Sequence, residues 1–128
     1  MRKEIIDGYF FNITKGYLSF PQVIEEILNY IAEKPEKFYE VIVGCDSSSG
    51  ESPFFPLAIV VLRKGEGGRF FLKKIHYREK RFFNWKMRIL EEVLLSCELA
   101  LSLKEALKEK LNGKNFLWQF QYIHADVG

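Results

Sequence analysis

The chain has 128 residues, of which 48% are hydrophobic and 16% aromatic, so it can form one domain with a substantial core. Its net charge of +2 is too small to indicate nucleic-acid binding by itself. No stretch has the length of a membrane span or the pattern of a signal peptide, which predicts a cytoplasmic protein with no membrane partner. Cys45 and Cys97 lack the close-spaced partners of a zinc or redox site and are predicted to be reduced core thiols.

The N-terminal region is predicted to be an arm followed by a helix. Residues 1–18 show no hydrophobic period and are interpreted as an irregular arm. Residues 19–22 combine a serine, a proline in the first turn and a glutamine three positions after the serine, which is typical of a capped helix start. Apolar residues then recur at helical spacing until Lys34 and Pro35 end the helix.

Three strands are predicted next, over residues 39–46, 54–64 and 69–77. The connections between them are too short for a helical crossover, so the strands are expected to form an antiparallel meander. Pro53 and Pro56 cannot donate to a strand ladder, which predicts that this end of the second strand is frayed, bulged or at an edge.

A long helix from about residue 83 to residue 111 and a fourth strand over 116–125 complete the chain. Asn112 and Gly113 are the residues expected at a left-handed helix C-cap. The predicted buried stripe of this helix consists of Met87, Leu90, Leu94, Cys97 and Leu101. Because a helical crossover favours parallel neighbours, the fourth strand is expected beside the first. The fold predicted for residues 1–128 is therefore one α/β domain with a mixed sheet of order 3-2-1-4.

Two predicted strands run into an aspartate, Asp46 after the first and Asp126 after the fourth. In open α/β sheets ligands collect at the carboxyl ends of the strands where the connection reverses direction. Two carboxylates at matched heights on neighbouring strands would repel unless a cation lay between them, and magnesium or manganese suits such oxygen ligands. The alternative interpretation is that Asp46 only begins an Asx-turn.

The long helix is expected to supply a third acid. At about 100° per residue, Glu91 lies at the margin of the predicted stripe and Glu92 points nearly opposite the core. Glu98 shares the flank of Glu91 but lies two turns farther on, so Glu91 is the preferred candidate and Glu98 the second. Each of these glutamates has the alternative of being a solvated surface residue.

The order of these features resembles the ribonuclease H-like fold: an acid after the first strand, a meander, a helix with an early glutamate, and an acid closing the fourth strand. More narrowly, residues 39–47 and 122–128, behind a capped helix, resemble the bacterial family typified by YkuK. The resemblance implies that Asp46, Glu91 and Asp126 are catalytic metal ligands in phosphodiester cleavage. It also implies a further strand and helix where this sequence ends at Gly128, so the domain is expected to be short at its C-terminus.

A basic and aromatic segment over residues 73–86 is the candidate nucleic-acid interface, because cations neutralise phosphates and rings stack on unpaired bases. The residues predicted to bind are Lys73, Lys74, Arg78, Lys80, Arg81 and Trp85. The alternative is a solvated loop whose rings enter the core. His124, two residues before Asp126, could contact a phosphate or could be structural, and His76 is a weaker candidate.

Three functions remain open at this stage. The first is a magnesium- or manganese-dependent nuclease or phosphodiesterase that uses the three acids. The second is a non-catalytic ribonuclease H-like module that binds nucleic acid, whether RNA, DNA or a hybrid, or a protein partner. The third is a structural or oligomeric domain, since an aromatic-rich surface on a small domain is compatible with a homodimer.

Overall fold

The structure is a computed structural model, and it describes residues 7–45, 54–76, 85–111 and 120–127. For the last of these ranges it describes the backbone. Neither of the helices in these ranges is long and apolar enough to cross a membrane.

A mixed six-stranded sheet and two helices make up the described part of the chain. The strands are β1 (Phe10–Asn12), β2 (Gly16–Leu18), β3 (Tyr39–Cys45), β4 (Phe54–Arg63), β5 (Gly67–His76) and β6 (Phe120–Val127), and the helices are α1 (Phe20–Glu33) and α2 (Trp85–Leu111). The strand order is β2-β1-β5-β4-β3-β6. β3 and β6 are parallel, and the other neighbours are antiparallel. The predicted order of the meander and the crossover strand is therefore confirmed, as β5-β4-β3-β6.

The prediction of an irregular N-terminal arm is wrong for residues 10–18. These residues form the β1–β2 hairpin, which extends the sheet by two strands because Phe11 pairs with Leu72 of β5. The Asn12 side chain accepts hydrogen bonds from the backbone N–H groups of Thr14 (3.0 Å) and Lys15 (2.9 Å) and so fixes the turn. Strands of three residues are too short for an alternating pattern to be visible in the sequence.

The start of α1 agrees with its prediction. The Ser19 hydroxyl accepts from the Gln22 N–H, and the Gln22 side chain accepts from the Ser19 N–H at 2.8 Å, which is a complete capping box. The apolar stripe that follows is buried, with Ile27 and Ile31 fully inaccessible. This stripe packs against the same core as the sheet.

The proline-containing end of β4 lies beyond its described ladder with β3. That ladder runs from the pair Tyr39–Arg63 to the pair Cys45–Leu57, whereas Pro56 is paired only with Lys74 of β5 among the residues described. The missing N–H of a proline costs little where a strand is paired on one side. The next position of the β3–β4 register opposes Pro56 with Asp46, which lies outside the described residues, so the edge-like position stays a prediction.

One face of the sheet is covered and the other is largely open in the described structure. Alternate residues along β3, from Tyr39 to Cys45, are buried, and the residues between them are half-buried. The buried set joins the buried residues of α1 and α2 in a single hydrophobic core. Both helices therefore lie on the same face of the sheet.

The predicted buried stripe of α2 is wrong. The side chains that enter the core are Leu95, Leu99, Leu103 and Leu107, whereas Met87, Leu90, Leu94, Cys97 and Leu101 are all exposed. The sequence is ambiguous because apolar residues recur at helical spacing on both sides of the helix. Of the two predicted core thiols, Cys45 is buried and Cys97 is exposed. The predicted C-cap at 112–113 lies outside the described residues.

Candidate functional site

The backbone brings the last residues of β3 and β6 to one edge of the sheet. Asp126 of β6 is paired with Gly44 of β3 in the parallel ladder, and β3 ends one residue later at Cys45. Asp46, the next residue in the sequence, lies outside the described residues. The structure therefore places the Asp126 backbone beside the carboxyl end of the strand that leads into Asp46.

The helix α2 turns two glutamates towards the covered face of the sheet. Glu91 is 4% exposed and Glu92 is 3% exposed, and both lie in the N-terminal third of the helix. The prediction that Glu92 points away from the core is therefore wrong. Glu98, the second candidate, is half-buried. Sequence reasoning missed Glu92 because it assigned the core to the opposite side of the helix, which also carries leucines at helical spacing.

These glutamates lie towards the same edge of the sheet as the ends of β3 and β6. β5 is antiparallel to β4, and β4 is antiparallel to β3, so β5 and β3 run in the same direction. β6 is parallel to β3 and therefore also to β5, and α2 connects β5 to β6. A helix that crosses over between parallel strands runs antiparallel to them, so its first turns lie near the carboxyl ends of the strands. The fold thus directs Glu91, Glu92 and the Asp126 backbone to one region.

Carboxylate oxygens are hard ligands, and the donor set of this region suits magnesium or manganese better than zinc. Among the described side chains no group of three histidines, cysteines, aspartates and glutamates is arranged to hold a metal ion. The side chains of Asp46 and Asp126 are not among those described, so the predicted three-acid site remains a prediction.

A second polar cluster lies at the other end of the central strands, where β3 begins and β4 ends, and it is centred on the buried Arg63. Its guanidinium donates to the Tyr39 hydroxyl at 2.9 Å and to the Tyr30 carbonyl at 2.7 Å, and it lies 3.9 Å from the centroid of the Tyr30 ring. Burial alone would lower the pKa of Arg63, but hydrogen bonds with Tyr39 and Glu33 raise it above the usual value. Burial also raises the pKa of Tyr39.

This Arg63 cluster ties the end of α1 to the start of β3 and the end of β4. It is extended by Glu66, whose carboxylate accepts from Lys34 at 2.6 Å and pairs with Lys37 at 3.2 Å. The hydrogen bond from Lys34 lowers the pKa of Glu66 to about 2, with a smaller contribution from Lys37. The partners of the cluster are all groups of the fold, so we assign it a structural role.

The predicted nucleic-acid residues are distributed over different parts of the structure. Lys73 is buried and donates to the Asp7 carbonyl, so its ammonium is engaged inside the protein. Lys74 and His76 are exposed on β5. Trp85 begins α2, and the remaining predicted contacts, Arg78, Lys80 and Arg81, lie outside the described residues. His124 is paired with Ile42 in the β3–β6 ladder.

The family can now be stated. The family model described as ribonuclease H-like matches residues 22–128, which is most of the chain. No curated protein and no solved structure gave a significant match. The meander, the helical crossover and the parallel strand β6 are in the order expected for that fold. The protein belongs to the ribonuclease H-like family.

Proposed function

We propose that this ribonuclease H-like domain is a divalent-metal-dependent nuclease or phosphodiesterase whose metal ligands include Asp46, Glu91 and Asp126. The observation that carries the proposal is the inward orientation of Glu91 and Glu92 on a helix that leaves leucines exposed. Glutamates are rarely fully buried in soluble proteins, and two buried carboxylates near the carboxyl ends of the strands are candidate ligands for a divalent cation.

The backbone register supports a shared site for the two aspartates. Gly44 and Asp126 are paired, and Asp46 follows Gly44 by two residues in the sequence. Neighbouring parallel strands lie about 4.8 Å apart and each residue advances about 3.3 Å, so a two-residue offset corresponds to Cα atoms about 8 Å apart, which two aspartate side chains can span with a cation between them. Glu92 joins Glu91 and Glu98 as a candidate from α2.

Magnesium or manganese held by these acids would supply a Lewis acid and an activated water for attack on a phosphodiester. The chain itself contributes the geometry, because two strands and one helix fix the acids on rigid elements of the fold. The buried surroundings of Glu91 and Glu92 lower the effective dielectric constant, which strengthens their attraction for a cation.

The experiment that tests this function is a cleavage assay on single-stranded DNA, single-stranded RNA, duplex DNA and an RNA–DNA hybrid, with and without manganese. We expect cleavage that requires the metal and falls by about 100-fold or more in Asp46→Asn and in Glu91→Gln. Glu105→Gln, on the exposed side of the same helix, is the matched control and should keep full activity. Metal-dependent cleavage that survives both ligand substitutions would contradict the proposal.

A second function is a non-catalytic module that binds nucleic acid. The exposed aromatic side chains of the N-terminal hairpin and β5 favour it, since unpaired bases stack on exposed rings. In that case Asp46→Asn should leave nucleic-acid affinity nearly unchanged, and no substrate should be cleaved. The narrower relationship to the YkuK-type family remains a part of the proposal.

A further inference from the structure

The exposed aromatic side chains that the structure describes are concentrated in one corner of the molecule. Tyr9 is 64% exposed, Phe11 39%, Tyr17 73% and Phe70 44%, and every other described aromatic side chain is buried or half-buried. Three of them lie on β1, β2 and β5, and Tyr9 directly precedes β1. The exposed apolar residues of α2 are, by contrast, all aliphatic or sulfur-containing.

The strand register puts the three strand residues on one face of the sheet. Phe11 is paired with Tyr17 on one side and with Leu72 on the other, and Phe70 precedes Leu72 by two residues. Cross-strand partners, and residues two apart on one strand, share a face. The residues that alternate with them, such as Phe10 and Phe71, are buried beneath the helices. We call the set Phe11, Tyr17 and Phe70 the ring face.

The ring face is held in place by bonds from the buried side. The Asn12 amide donates to the Phe70 carbonyl at 2.8 Å, which joins the hairpin to β5. Lys73 donates to the Asp7 carbonyl and lies 5.4 Å from the centroid of the Phe10 ring. The Phe11 and Tyr17 rings also contact each other edge to face, with centroids 5.4 Å apart. The rings are therefore preformed on a fixed scaffold, which reduces the entropy lost on binding.

A basic side chain lies on the same face as the rings. Lys74 is exposed and follows Leu72 by two residues, so it lies on the same face of β5 as Phe70. Glu40, the described acid on this face, belongs to β3 and pairs with Leu62 at the other end of the sheet. Rings with a neighbouring lysine suit a ligand that carries both flat bases and phosphates.

We propose that the ring face is a stacking site for the unpaired bases of a single-stranded nucleic acid, with Lys74 contacting a phosphate. Phe11 and Phe70 are diagonal neighbours, at about 7–8 Å between Cα atoms, so each can receive a separate base. A duplex cannot use such a site, because its bases are stacked on one another. The proposal rests on the proposed function in one respect, namely that the protein encounters nucleic acid, but it uses none of the acidic residues.

The test is fluorescence anisotropy with labelled oligothymidine and oligouridine of about 15 nucleotides, in EDTA so that no cleavage occurs. We expect the wild-type protein to bind both single strands more tightly than a duplex of the same length. Tyr17→Ala and Phe70→Ala should each weaken single-strand binding by about 5- to 100-fold. Leu101→Ala is the matched control, because Leu101 is an exposed apolar residue on α2, on the other side of the sheet from the rings.

Two results would overturn the proposal. One is single-strand binding that is the same in Tyr17→Ala, Phe70→Ala and Leu101→Ala. The other is a folded wild-type protein that binds neither single strand at low salt. If substitution of a ring then changed the sedimentation coefficient of the protein, the ring face would be assigned to a protein–protein contact. Either result together with metal-dependent cleavage would retain the nuclease and reject the ring face, whereas ring-dependent binding without cleavage would retain the ring face and reject the nuclease.

Discussion

Leu99 and Leu101 lie on opposite sides of α2, with Leu99 fully buried and Leu101 exposed. Truncation of Leu99 leaves a cavity in the core, so Leu99→Ala is expected to lower the free energy of unfolding by about 2–5 kcal/mol. Leu101→Ala should change it by no more than about 0.5 kcal/mol. Urea denaturation of the two variants measures both values. A larger loss at Leu101 than at Leu99 would mean that the helix has the opposite orientation, with Glu91 and Glu92 outside.

The Tyr39 hydroxyl is predicted to be a major stabilising group of the Arg63 cluster. It accepts from the Arg63 guanidinium at 2.9 Å and donates to the Lys34 carbonyl at 2.9 Å. Tyr39→Phe removes both bonds and leaves a buried cation with one partner fewer, at an expected cost of about 1.5–3 kcal/mol. Tyr17→Phe removes a hydroxyl from an exposed ring and is the matched control. Equal stability of the two variants would contradict the assigned role.

Glu66 is expected to contribute to the dependence of stability on acid pH. Its pKa is lowered from 4.5 to about 2 in the folded protein by the hydrogen bond from Lys34 and by Lys37. A carboxyl group with a lowered folded-state pKa stabilises the fold above its unfolded pKa and loses that contribution as the pH falls through the folded value. Wild type should therefore lose more stability than Glu66→Gln between pH 4.5 and about 2.

Thermal denaturation across this pH range measures the difference between wild type and Glu66→Gln. Because Glu66 is partly exposed, the difference should shrink in 1 M salt, where the Debye length is about 3 Å. If the melting temperatures of wild type and Glu66→Gln fall by the same amount over this pH range at low salt, Glu66 makes no such contribution.

The order of the four main strands could be predicted from the sequence because each step rests on a local signal. Glycines at 65 and 67 adopt positive φ at the turn between β4 and β5, as a hairpin requires, and the Ser19–Gln22 capping box begins α1. Short connections then force antiparallel pairing, and a long helix permits the parallel return of β6. These constraints do not depend on distant contacts.

The orientation of α2 and the N-terminal hairpin could not be predicted in the same way. Both sides of α2 present leucines at helical spacing, so only the packing against β3 and β6 decides that Leu95 is buried and Leu94 is exposed. The hairpin depends on contacts with β5, a strand about 60 residues away, through the Phe11–Leu72 pair and the hydrogen bond from Asn12 to Phe70. The exposed rings and the burial of Glu92 follow from these two features, and the sequence analysis missed both.

The proposed nuclease requires that the acids at the carboxyl ends of β3 and β6 and on α2 bind one kind of divalent metal. Titration of manganese into the protein, followed by calorimetry, tests it most directly, with wild type, Asp46→Asn, Glu91→Gln and the control Glu105→Gln measured side by side. We predict millimolar or tighter binding in wild type and Glu105→Gln, and its loss in Asp46→Asn and Glu91→Gln. Absence of binding to a well-folded wild-type protein, or equal binding by all four proteins, would contradict the account.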